Sequence, residues 1–150
     1  MSAEAKQSGK NFAGFRAARL VAVQVLYQGT FTDFDKEALD DFINNKMYKV
    51  EMEDLQAPDD TLLREIVGGV LSRIEDIEGL LLPRLEGKKS PELLLKSILL
   101  CGTYELLARQ ETDAPIIIND YMMVTEAFFE GQEKKLVNAI LDSVAKAVRQ

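Results

Sequence analysis

Apolar positions along this chain recur at helical intervals and almost nowhere in strict alternation. From about residue 13 to 28, Arg16, Arg19, Val23, Leu26 and Tyr27 fall on one broad side of a helical wheel. Two arginines thus head a stripe that apolar residues continue, until Gly29-Thr30 stops it. Asp33 to about Asn45 reads as a second, acidic helix with Leu39, Phe42 and Ile43 on its apolar side, followed by a charged connector from Lys46 to Pro58. Beyond a capping Asp59 or Asp60, the residues Leu62, Leu63, Ile66, Val67, Val70, Leu71, Ile74 and Ile77 keep i, i+3/i+4 spacing. A short apolar turn of helix from Leu80 to Leu85 follows, near Pro83. Gly68-Gly69 inside this run costs helix propensity, about 1 kcal/mol per glycine, a cost that close approach of a neighbouring helix would justify.

GKKSPELLL (87–95) predicts a helix start with Ser90 as cap, Pro91 at the first helical position and Glu92 in the first turn, running to about Arg109. QETDAP (110–115) reads as a loop, 116 to about 130 as a helix ended near Gly131, and 132 to about 149 as a last helix. That last helix places Leu136, Val137, Ile140, Leu141, Val144 and Val148 on one arc, with Lys135, Asn138 and Asp142 opposite. IIIND is β-branched, but it is short and opens a helical pattern. The sum is an all-α chain of about seven helices with short connections. Residues 1–12 read as a disordered basic arm and 13–150 as a single helical domain.

Composition narrows the chemistry. Apolar content of 47% and charged content of 29% are those of a soluble globular chain, with no apolar run long enough to span a membrane. Histidine is absent, which removes the usual general base, the histidine-activated nucleophiles and the commonest metal ligand. The single cysteine, Cys101, excludes an intramolecular disulfide and fits a reducing cytoplasm; among leucines it reads as a buried, inert thiol. No cofactor or metal is therefore expected.

The net charge of -7 hides an asymmetry, because Lys6, Lys10, Arg16 and Arg19 face only Glu4 in the first nineteen residues. The stretch from Asp33 to Asp60 is dominated by acids, as a solvated face. Two anion-binding candidates follow. Arg16 and Arg19, behind Lys10, combine guanidinium forks with a helix start, or are simply a solvated helix end. Lys134 and Lys135, at the start of the last helix after Phe128-Phe129, could pair phosphates beside stacking rings, or be surface lysines above core phenylalanines.

Four segments, ARLVAVQVLYQ (18–28), TYELLAR (103–109), DAPIIIND (113–120) and KKLVNAILD (134–142), appear in an order and spacing that resembles the NusB family of bacterial transcription antitermination factors. The resemblance implies a seven-helix fold of two three-helix sub-bundles and no enzymatic activity. It also implies binding to the boxA element of nascent ribosomal RNA leaders, jointly with the ribosomal protein NusE, in an antitermination complex on RNA polymerase. By the same resemblance Arg16 and Arg19 fall in the family's arginine-rich helix start, Phe128 at its aromatic position, and Gln132, Lys134 and Lys135 in its RNA-facing segment. Tyr27 occupies the motif tyrosine; the protein partner is expected against Tyr27 and Tyr104, on the helix 90–109 and the adjoining end of the first helix. Asn119 and Asn138 match motif asparagines expected to cap or bridge helices. Ala139 stands where the family has glycine, which implies a last helix set slightly further from its neighbour, or a smaller neighbour.

The resemblance leaves the chain as a monomer or a homodimer. Two alternatives remain beside RNA binding: a protein-only helical interaction module, and a detached RNA-binding domain of a ribosomal RNA cytosine methyltransferase.

Overall fold

The computed structural model describes residues 12–29, 36–45 and 57–149. Lys10 and most of the N-terminal arm, the first residues of the expected acidic helix and most of the charged connector lie outside these. The described residues form seven helices: α1 (Phe12–Gly29), α2 (Lys36–Asn44), α3 (Asp60–Ser72), α4 (Ile74–Leu85), α5 (Leu93–Ala108), α6 (Ala114–Phe128) and α7 (Glu133–Val148). No strand occurs among the described residues.

α1 is not the one-sided helix that the wheel predicts. Ala17 through Val23 are all buried, along with Phe15, Val25 and Leu26. A helix apolar nearly all round belongs inside a fold, and α1 packs against α3, α5 and α6. α5, the oiliest helix, is the second hub and touches α1, α3, α4, α6 and α7. α1 and α3 pack on each other and on α5, as do α6 and α7, so the two helical groups share α5, and α1 also touches α6. α2 attaches by Leu39, Phe42 and Ile43, and by Arg64 of α3, which reaches Asp40 at 2.6 Å and Asn44 at 2.9 Å.

Asp59 caps α3, accepting the Leu62 amide at 2.8 Å. The apolar run expected to continue from 62 to 77 breaks at Arg73, whose backbone leaves helical geometry (φ -118, ψ 27) and whose N–H donates to the Gly69 carbonyl. Ile74 and Ile77 keep the spacing across the break, which is why periodicity alone does not reveal it. The start of α5 also differs from expectation: Glu92, with extended backbone, is the N-cap, and Ser90 and Pro91 precede the helix. Pro91 lines a shallow cleft with Leu82, Pro83 and Leu85 at the α4–α5 connection. At the other end of α5, Arg149 donates to the carbonyls of Glu105, Leu106, Arg109 and Thr112, tying the end of α7 to the end of α5 and the loop after it.

Gly69 is required by packing. A β-carbon there would stand 2.2 Å from the Tyr104 ring, so α3 and α5 can cross at this distance only over a glycine. α5 and α7 cross closely at Gly102, where a β-carbon would meet Leu141 at 2.8 Å. Ala139 is exposed, so its replacement of a family glycine changes no helix crossing. Gly68 has nothing within 4 Å of a built β-carbon. The two adjacent glycines should therefore respond oppositely to alanine in urea unfolding. Gly68→Ala should stabilise by about 0.5–1 kcal/mol through helix propensity, and Gly69→Ala should destabilise by about 1–3 kcal/mol through overpacking.

Candidate nucleic-acid interface

The centre of the charged architecture is Glu105, a single acid in the oily α5 and fully buried. Arg19 of α1 grips it with both sides of its fork, Nε to Oε2 at 2.8 Å and Nη2 to Oε1 at 2.9 Å. Tyr121 of α6 donates its hydroxyl to Oε2 at 2.5 Å, and Arg109 donates Nη1 to Oε1 at 2.9 Å. Arg19 uses Nη1 to reach Asp120 Oδ2 of α6 at 2.8 Å, and Asp120 Oδ1 accepts from Arg16 Nε at 3.4 Å. Arg109 also lies 3.6 Å from Glu65 of α3, whose carboxylate accepts the Tyr104 hydroxyl at 3.2 Å. Four helices are thereby tied at one polar knot in an apolar interior.

The electrostatics follow from this geometry. Burial opposes the charge on Glu105, but the field and hydrogen bonds of Arg19, with Tyr121 and Arg109, outweigh it and hold the carboxyl below its ordinary value. Burial pushes the Tyr104 hydroxyl up to about 12, with the neighbouring Glu65 charge adding to the shift. Burial likewise pushes the Cys101 thiol well above its ordinary value, as an inert core thiol requires.

This knot corrects the expected role of Arg19. Its side chain has no exposed surface and is neutralised by two carboxylates, so it is a structural cation and not a phosphate contact. The reason is the all-round burial of α1, which leaves position 19 no path to water. Arg16, one turn earlier, is the member that reaches the surface, with 32% of its side chain exposed. It lines a cleft of about 530 Å³ with Phe12, Pro115, Ile116, Asn119 and Asp120.

The second candidate patch lies at the end of α6 and the start of α7. Phe128 is half-buried and packs on the core, while Gln132, the N-cap residue of α7, and Lys135 are exposed. Lys134 is paired with Glu126 of α6. Both anion-binding candidates thus border α6, Arg16 through Asp120 and Lys134 through Glu126, two acids about 9 Å apart along the helix axis. Of the two tyrosines, Tyr27 is half-buried and Tyr104 is buried over Gly69. Asn119 and Asn138 are both exposed; neither side chain bridges helices as expected, and Asn119 instead borders the Arg16 cleft. No cluster of metal-ligating side chains occurs among the described residues, and no described helix is long and apolar enough to cross a membrane.

Against known proteins, a profile of the NusB family matches residues 16–146. The chain belongs to the NusB family. Its curated relatives bear out the match. The transcription antitermination protein NusB of Novosphingobium aromaticivorans is 40% identical over 138 residues, covering 89% of this chain and 93% of that one. The protein of the same name from Sphingopyxis alaskensis is 34% identical, with the same coverage. The fold agrees with a solved structure of Thermotoga maritima NusB at a TM-score of 0.71 and 21% identity, over 87% of this chain and 89% of that one. These curated relatives are named as transcription antitermination proteins, not as enzymes.

Sequence reasoning missed Glu105, Asp120 and Glu126 as partners of the basic residues. A usable signal was present: one acid in the otherwise apolar α5 and one arginine deep in the apolar α1 each need a buried counter-charge, and they supply it to each other. Glu105→Gln should therefore cost about 3 kcal/mol at neutral pH, because it leaves buried cations undercompensated. The stability Glu105 contributes is present above its ordinary value of 4.5, where the unfolded chain is also ionised. It is lost as pH falls below 4.5 toward the lower folded value, because there the unfolded chain takes up the proton first. Chemical denaturation across this range should show wild-type stability falling with acid and a shallower fall in Glu105→Gln.

Proposed function

We propose that this chain is a cytoplasmic antitermination factor that binds boxA RNA of ribosomal leader transcripts together with the ribosomal protein NusE, within a complex on RNA polymerase. The observation that carries this reading is the start of α7: the segment that the NusB resemblance assigns to RNA holds an exposed Gln132, an exposed Lys135 and Lys134 at the surface, beside Phe128. Arg16 supplies a separate cation in the α1 cleft, and Lys10 precedes α1 in sequence. Single-stranded RNA suits such a surface, since phosphates take the cations and unstacked bases take the aromatic edge. The protein partner is assigned to Tyr27, half-buried at the end of α1, and to the part of α5 around Tyr104, which is itself buried over Gly69. Monomer and homodimer are both compatible with these assignments.

A second reading is supported by a specific observation. Arg16 and Lys134 are each already paired with a carboxylate, and Arg19 is buried, so little uncompensated positive charge is offered. A protein-only member of the family would have this arrangement. Fluorescence anisotropy with a boxA RNA and a scrambled RNA, with and without NusE, separates the two. RNA binding predicts preference for boxA that strengthens when NusE is added, as two linked surfaces on one RNA require. Weak binding to both RNAs that salt erases and NusE leaves unchanged would select the protein-only reading. Under the RNA reading, replacing Lys134 and Lys135 by alanine should lower the slope of log affinity against log salt by about 0.7 per lost contact. Stability should stay within about 0.5 kcal/mol, as for surface sites.

A further inference from the structure

The cleft between α1 and α6 contains a guanidinium held from one side. Arg16 Nε donates to Asp120 Oδ1, and the two Nη groups make no hydrogen bond among the described residues. Asp120 is itself fixed: its other oxygen accepts from Arg19 Nη1 at 2.8 Å, and Arg19 is clamped by the buried Glu105. The contacts form a chain from the core to the surface, Glu105 to Arg19 to Asp120 to Arg16, ending on an open fork of N–H donors beside Phe12, Pro115 and Asn119.

We infer that Asp120 and Arg19 are positioning residues that hold Arg16 by its Nε and so present its Nη pair to a nucleic-acid phosphate in this cleft. The inference rests on the RNA-binding reading above. A free arginine side chain has many rotamers, and a bidentate phosphate contact uses one orientation of the fork. Anchoring Nε in advance removes much of the ordering cost from the binding step. A carboxylate this near a phosphate would otherwise only repel it, so the sign of its effect separates the two roles. If Asp120 acted through charge alone, deleting it would tighten RNA binding; as a positioning residue, deleting it loosens RNA binding.

The test is anisotropy of a boxA RNA oligonucleotide with the full chain and its Asp120→Ala, Arg16→Ala and Arg16→Lys variants over a range of salt. Asp120→Ala should weaken binding about three- to ten-fold although it removes a negative charge. It should also lower the salt slope by about 0.7, the mark of one lost phosphate contact. In the Arg16→Ala background it should change nothing further. Arg16→Lys keeps the charge but has no Nε and no fork, and should weaken binding nearly as much as Arg16→Ala. Tighter or unchanged binding by Asp120→Ala, or wild-type affinity in Arg16→Lys, overturns the inference. If circular dichroism shows Asp120→Ala unfolded, the surface variant Arg16→Lys decides alone. Failure of the wild-type chain to bind RNA at all defeats the RNA reading and this inference with it. RNA binding that is indifferent to both substitutions defeats this inference only.

Discussion

The rest of the fold depends on one guanidinium in the wrong solvent. Arg19 is enclosed without surface, and Glu105 and Asp120 reach it from two other helices. Ion pairs of this kind contribute little net stability relative to well-packed apolar residues, since desolvation consumes most of the attraction. Their value lies in geometry. α1 is apolar on nearly every side, so hydrophobic burial does little to choose its rotation about its own axis. A planar fork that must meet one carboxylate side-on and a second end-on accepts a single rotation. That rotation puts Phe15 and Leu20 in the core and leaves Arg16 at the edge of the α6 cleft.

The same knot links core and surface in a NusB-family protein whose business is contact with other molecules. Asp120 belongs to both: one oxygen serves the interior through Arg19, the other serves the boundary through Arg16. Glu65 of α3 joins the network through a single oxygen, which lies 3.6 Å from Arg109 Nε and accepts the Tyr104 hydroxyl at 3.2 Å. Of the surface cations, Arg16 is thus part of this network, while Lys134 pairs outside it with Glu126.

Much of the architecture is legible along the chain because helical periodicity and burial report the same thing. The seven helices, the Asp59 cap and the buried arc of Val137, Ile140, Leu141 and Val144 on α7 all follow from spacing. Where reading fails, a local rule meets a non-local cause. The break at Arg73 is hidden because Ile74 and Ile77 continue the periodicity beyond it. Of the two adjacent glycines, only Gly69 has the neighbour that a close helix crossing requires. Arg19 is placed on the surface by its position at the head of a stripe, since a helical wheel cannot contain a carboxylate 86 residues away. The Lys134–Glu126 pair across the α6–α7 turn is equally invisible to any count of charges by segment.

Those separations also set a timetable. Arg19 is joined to Asp120 across 101 residues of chain. A chain synthesised from its N-terminus at roughly 5–20 residues per second takes on the order of 5–20 seconds to cover that distance. Glu105 follows Arg19 by 86 residues and Asp120 by 101, so through most of that interval α1 has α3 beside it but neither counter-charge. α1 thus leaves the ribosome well before its arginine can be neutralised, and until Glu105 is made that cation has no carboxylate to meet.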